Sequence, residues 1–250
     1  MSGLKRRLVL LGGLAAVAGG WQIAPRIFDR LSSAFDFVPL DDPAGFRSLA
    51  GQDVSAPLDI FAGLDAGPQR DVNKAKADVA ADFNAVLFSN KSRDGAVQVA
   101  YFSDFYCPYC RILSSDLIKV VQTEDIEITW HESPIFGPPS ELAARAAIAA
   151  ERQGAYVAFH DALVSRPVVV TPPYLSRLAQ ELGLDTVAFE ADMQSPQTQH
   201  KLDVASVLFG RFGFLGTPGL VVGRTVVQGR ISATNLRQLI TRERTDGHLG

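Results

Sequence analysis

The stretch Val97-Gln-Val-Ala-Tyr-Phe-Ser-Asp-Phe-Tyr-Cys107-Pro-Tyr-Cys110-Arg-Ile-Leu-Ser-Ser-Asp-Leu-Ile-Lys-Val-Val121 decides the fold. Val97 to Phe102 is apolar, β-branched and aromatic, and reads as a strand. The run from Arg111 onward reads as a helix. Between them stand the only two cysteines of the chain, three positions apart. Random placement would give that spacing in about one per cent of cases. A dithiol between a strand and a helix N-terminus reads as a redox centre.

The chemistry follows from the place. Only a thiolate attacks a disulfide. The first helical turn has N–H groups without intrahelical partners and the positive end of the helix dipole, so it favours a negative sulfur. Cys107 is expected at or just before the helix N-cap, with Pro108 at the first helical position, where proline loses nothing. Its sulfur is expected at the surface, and Cys110, one turn in beyond Tyr109, is expected to be more buried. Cys107 would attack and Cys110 would resolve the mixed disulfide. Two blander readings compete. A structural disulfide closing so small a loop would remove little unfolded-chain entropy. A zinc half-site would need further ligands, and His131, His160, His200 and His248 form no second paired motif.

Working outward, Ile126 to His131 alternates as a second strand. Ser140 to Gln153 is an alanine-rich helix with Ser140 as its expected N-cap, and Gly154 breaks it from a helix over Ala155 to Val164. Helices are expected over Tyr174–Leu182, over a stretch capped by Asp185 and ending at Met193, and over Gln197–Arg211 behind Ser195. Leu220–Val222 and Thr225–Gln228 read as a hairpin turning at Gly223-Arg224, and Ser232 caps a last helix, Asn235–Arg244. The pattern is β-α-β, about 80 residues of helix, then β-β-α. It predicts an α/β chain: a thioredoxin fold with a helical insertion between its two halves. The expected boundaries are 85–138 for the first half, 139–213 for the insertion and 214–246 for the second half.

Upstream, Lys5, Arg6 and Arg7 precede an apolar run, Leu8 to Ala18, ending in the small-x-small pattern Ala16-Val17-Ala18. Residues 1–24 therefore read as a signal peptide or an uncleaved membrane anchor, with the globular part exported, in a bacterium to the oxidising periplasm. Residues 25–84 form an N-terminal extension. Its Pro-, Gly- and Asp-rich part up to residue 69, with Phe35, Phe37, Phe46 and Phe61, reads either as a segment packed on the core or as a solvated linker, and Arg70–Ser89 has helical character. A net charge of −3 and a pI near 5.8 argue against nucleic-acid partners.

Three stretches carry a family resemblance: Tyr101-Phe-Ser-Asp-Phe-Tyr-Cys-Pro-Tyr-Cys-Arg111, the insertion with Ala143-Ala-Arg-Ala-Ala147 and Phe159-His160, and Gly216-Thr-Pro-Gly-Leu-Val-Val-Gly223. Over roughly residues 85–244 the sequence resembles the DsbA-like thiol-disulfide oxidoreductases. The resemblance implies a cis peptide before Pro218 facing the cysteines, with the Thr217 backbone offered to an extended substrate chain. It implies catalysis by Cys107 and Cys110 supported by Pro108 and Tyr109, with no cofactor and no metal. Substrates would be folding exported proteins with cysteines, and a membrane redox partner would reoxidise the enzyme. A reductase or isomerase, a chaperone-like binder and a glutaredoxin-like iron–sulfur module are the alternatives. The chain departs from the pattern in one respect. Many relatives carry a buried acid six positions before the first cysteine, and here that residue is Tyr101. Asp104 is the nearest acid, so the acceptor of the Cys110 proton stays open. Other candidates near the site are His131, Glu132, His160, Trp130, Phe136 and the apolar set Phe209, Phe212, Phe214 and Leu215.

Overall fold

The computed structural model describes residues 35–50, 72–89, 93, 95–166 and 168–247. The segment read as signal or anchor, and Phe61, lie outside them. Among the described residues no helix is long and apolar enough to cross a membrane. All elements lie in one compact unit, Phe37–Gly250.

The predicted β-α-β unit is present as β3 (Val97–Ser103), α3 (Pro108–Val120) and β4 (Ile126–Glu132). Five helices follow: α4 (Pro138–Arg152), α5 (Tyr156–Ser165), α6 (Pro172–Glu181), α7 (Thr186–Met193) and α8 (Pro196–Arg211). The chain closes with β5 (Gly219–Val222), β6 (Thr225–Gln228) and α9 (Ala233–Asp246). Asp185, Ser195 and Ser232 cap their helices as expected, each accepting N–H bonds from the first turn.

Among the described residues the sheet has six strands, because two short upstream strands, β1 (Val38–Pro39) and β2 (Arg47–Ala50), join it in the order β1-β2-β6-β5-β3-β4. Strand β3 pairs parallel with β4, placing Tyr101 beside Trp130, and antiparallel with β5, placing Tyr101 beside Leu220. Side chains alternate across the sheet. Phe102 therefore enters a core with Phe46, Leu208, Phe212, Phe214 and Val221, while Tyr101 faces α3. The insertion has its own apolar centre, in which Ala143, Ala146, Ala147 and Ala150 let α4 lie close against neighbours carrying Phe159, Leu175 and Phe189. That centre reaches the site through Phe105 and Tyr106.

Two expectations need correction, and one alternative is decided. The helix read over Arg70–Ser89 is two helices, α1 (Asn73–Ala81) and α2 (Phe83–Phe88). Asp82 breaks it, leaving helical dihedrals at φ −151° so that its carboxylate can accept the Ala85 N–H at 3.0 Å. Ser140 is not an N-cap: α4 begins two residues earlier with Pro138 behind Gly137, whose φ is +83°. Ser140 points inward instead. Of the two readings of the Pro- and Gly-rich upstream region, packing on the core holds for residues 35–50: β2 lies parallel to β6, and Phe46 is buried.

A charged clamp holds β2. Arg47 donates from Nε to Thr225 Oγ1 (2.8 Å) and from Nη2 to Glu243 Oε1 (2.6 Å) and Asp246 Oδ2 (3.0 Å). Glu243 is buried and also accepts from the Thr225 hydroxyl (2.6 Å) and the Arg224 N–H (3.0 Å). The hairpin turn at Gly223 has φ +54°, and a Cβ there would strike the Glu243 carboxylate, so the turn and the clamp both require glycine. Removing Arg47 strands a buried carboxylate. Arg47→Ala should lower unfolding stability by about 3 kcal/mol in urea titrations, while Arg47→Met with Glu243→Leu recovers most of the loss.

Candidate active site

Cys107 is the N-cap of α3, in extended backbone at φ −77°, ψ 118°, with Pro108 at the first helical position. The Cys110 N–H donates to Cys107 Sγ at 3.1 Å. The open end of the helix thus points its N–H groups and dipole at this sulfur, which favours charge on it. Pro108 is exposed and Tyr109 is half-buried. From the other side the Cys107 thiol donates to the Thr217 carbonyl at 3.4 Å. The Thr217–Pro218 peptide is cis. Strand β5 starts directly after it at Gly219, where a Cβ would lie 2.8 Å from the Phe214 ring. The structure therefore brings Cys107, Cys110, Thr217 and Pro218 together from two chain segments 110 residues apart.

One expectation fails here. Cys107 was expected at the surface, yet it is as buried as Cys110, because the Thr217 turn closes over the α3 N-terminus. Burial pushes the Cys110 thiol well above its ordinary range, and the adjacent Cys107 sulfur adds to the shift; the Asp104 N–H and the Thr217 hydroxyl act against it. The two thiols are thus differentiated: charge is favoured on Cys107 and disfavoured on Cys110.

Asp104 is saturated with donors. Its buried carboxylate accepts from Tyr106 N–H (2.8 Å), Ile135 N–H (2.7 Å), Phe136 N–H (3.2 Å) and the Ser140 hydroxyl (2.8 Å). It ties the end of β3 to the start of α4, and burial raises its pKa in spite of those bonds. His131 lies on the far face of the sheet. It stacks on Phe102 at 4.7 Å, its Nε2 meets the Leu87 carbonyl at 2.9 Å, and burial lowers its pKa to about 4. Glu132 and His160 lie on the near face, where Trp130 packs between Tyr101, Tyr156 and His160. Phe212 and Phe214 are core residues and Phe209 packs on them, whereas Leu215 is exposed beside the turn. Phe136 is half-buried.

Two residues escaped the sequence reading. Ser114 lies one turn beyond Cys110, and its hydroxyl is 3.2 Å from the Tyr101 hydroxyl, which donates to the Cys110 carbonyl at 3.0 Å. Tyr156 is four residues before His160 on α5, a spacing that puts both on one helix face and could have been read. Among the described residues, no three His, Cys, Asp or Glu side chains gather as a metal site.

The fold is shared with known proteins. The model of the DSBA-like thioredoxin domain matches residues 98–241. A thioredoxin-like oxidoreductase from Silicibacter pomeroyi DSS-3 superimposes with a TM-score of 0.58 and 33% identity, over 64% of this chain and 97% of that one. The thiol-disulfide exchange protein alpha-DsbA2 from Wolbachia pipientis has the same fold, with a TM-score of 0.60 over 68% of this chain and 96% of that one, at 20% identity. Part of the Na(+)/H(+) antiporter NhaA 3 of Salinispora tropica is 33% identical over 100 residues, 39% of this chain. The chain spans only 15% of that relative's length.

The differentiation of the thiols is measurable. At pH 7, limiting iodoacetamide should label Cys107 first, as read by mass spectrometry. In Cys107→Ser, the ultraviolet thiolate absorbance of Cys110 should rise only at pH values above the ordinary thiol value of 9.0. A transition near neutrality in that variant would contradict the site geometry.

Proposed function

Because the chain belongs to the DSBA-like thioredoxin domain family, we propose that it is an exported thiol-disulfide oxidoreductase that donates a disulfide to folding proteins through Cys107 and Cys110. The observation that carries the reading is the Cys110 N–H bond to Cys107 Sγ at the start of α3. A sulfur stabilised as thiolate is a good leaving group, and stabilising it stabilises the reduced enzyme, which makes the disulfide form oxidising. Two electrons pass from the substrate dithiol to the enzyme disulfide. A substrate thiolate attacks Cys107 of the disulfide form, a substrate–Cys107 bond forms, and Cys110 leaves. The second substrate thiolate then attacks the substrate sulfur of that bond and expels Cys107 as thiolate, leaving a substrate disulfide and a reduced enzyme.

Thr217 and Pro218 are the proposed substrate rest. The Thr217 carbonyl already faces Cys107, so an extended chain can add along this edge by main-chain bonding and replace that contact. Pro108 and Leu215, both exposed beside the dithiol, offer apolar surface to unfolded segments. The Lys5–Ala18 pattern supports export. A membrane oxidant of the quinone-linked class would complete the cycle.

Trapping tests the reading. Cys110→Ala should accumulate mixed disulfides with exported proteins on non-reducing gels, and Cys107→Ala should not. Acid-quenched alkylation of living cells should find the wild-type pair mainly oxidised. A mainly reduced pair would overturn disulfide donation.

A further inference from the structure

Behind the dithiol a line of buried polar side chains leads away from the substrate side. The Tyr101 hydroxyl donates to the Cys110 carbonyl at 3.0 Å, close enough to the dithiol that negative charge on either cysteine disfavours charge on Tyr101. From it the contacts run to Ser114 Oγ (3.2 Å), on to His160 Nε2 (2.9 Å), from His160 Nδ1 to the Tyr156 hydroxyl (3.1 Å), and from that hydroxyl to Glu132 Oε1. All five residues are buried. The other carboxylate oxygen, Glu132 Oε2, has no hydrogen-bond partner. Glu132, Tyr156 and Trp130 line a cavity of about 690 Å³ together with Asp78, His200 and Lys201.

A buried carboxylate with one oxygen unsatisfied is costly as an anion and gains by taking a proton. Its other charged or titratable neighbours are Asp104, which disfavours a second negative charge, and His160; Glu151 faces Tyr156. Burial raises the Glu132 pKa accordingly. The cavity lining includes Glu132 and none of Cys107, Cys110, Thr217 and Pro218.

We infer that Glu132 is the proton acceptor for Cys110, reached through Tyr101, Ser114, His160 and Tyr156, and that the cavity beside it returns the proton to solvent. The inference rests on the exchange role proposed above. In the resolving step the Tyr101 hydroxyl turns from the Cys110 carbonyl to Ser114, gives Ser114 its proton and takes the proton of Cys110. The Ser114 proton passes to His160 Nε2, the Nδ1 proton to Tyr156, and the Tyr156 proton to the Glu132 carboxylate. One proton has left Cys110 and one has arrived on Glu132. The Cys110 thiolate attacks Cys107, a sulfur–sulfur bond forms, and the partner's sulfur leaves as thiolate. These residues act through Cys110 and touch no substrate, so their role is positioning and proton transfer.

The two steps separate with a thionitrobenzoate adduct. Reaction of the reduced protein with Ellman's reagent loads Cys107, and release of the second thionitrobenzoate reports attack by Cys110. Loading reports on the proposed exchange, and release alone reports on the relay. In Glu132→Gln, release at pH 6 should slow by about a hundredfold, the lower end of what a positioned base contributes. The deficit should shrink as pH rises and hydroxide takes over. Tyr156→Phe and Ser114→Ala interrupt the line without altering packing much, and each should give the same profile, which keeps the test open even if Glu132→Gln folds poorly. Profiles superimposable on wild type, a loss equal at every pH, or a loss in Glu132→Gln with none in Tyr156→Phe would each overturn the relay. Failure to load Cys107 in the wild type would instead reject the exchange reading.

Discussion

The strand β3 is buried at every residue but Gln98 and hydrogen-bonded on both edges. It leaves the sheet directly into the turn that starts α3, so the place of Cys107 is set by the end of this strand. Because side chains alternate, adjacent residues of β3 serve different parts of the molecule. Phe102 fills the aromatic core with Phe212 and Phe214, and Tyr101 sits beneath the dithiol. A register slip of one residue would exchange the two and place a phenyl ring where a hydroxyl meets Cys110. The site is therefore a consequence of core packing, and its chemistry depends on the same hydrophobic constraint that holds the sheet.

Much of this was legible in the residues because local chemistry and fold agree. Pro108 after Cys107, and Asp185, Ser195 and Ser232 ahead of apolar runs, mark helix starts by their own hydrogen-bonding capacity. The Thr217-Pro218-Gly219 turn was readable for a similar reason. What escaped was decided by distant partners. Arg47–Ala50 is too short to show alternation, and it is a strand because β6 accepts it far along the chain. Ser140 has the chemistry of a cap, but the Asp104 carboxylate outcompetes that use. Cys107 lies deeper than the helix start implied because the Thr217 turn, from the other half of the fold, sits over it. The polar line from Tyr101 to Glu132 draws on β3, α3, α5 and β4, so no motif could announce it.

The acid missing at position 101 has a structural counterpart in how the carboxylates are distributed. Asp104 is the carboxylate nearest the dithiol in sequence, but four donors hold it as a joint between β3 and α4. Glu132 is farther along the chain, has an oxygen without a donor and borders a cavity. Proximity in sequence and availability for chemistry point to different residues, and hydrogen-bond saturation separates them.

The attachment of β2 to β6 has a bearing on how the molecule is made. Arg47 and Thr225 are 178 positions apart, and β3 cannot complete its antiparallel edge until β5 exists. Helices α4 to α7 pack mainly on one another and can assemble early, whereas α8 packs on the distant α1 and the sheet closes over long loops. A chain delivered from its N-terminus would keep β2 waiting until almost the whole polypeptide has emerged. During that interval the two cysteines of this protein stand in an unfinished sheet, and the order of assembly keeps the dithiol from its mature environment until the C-terminal hairpin is in place.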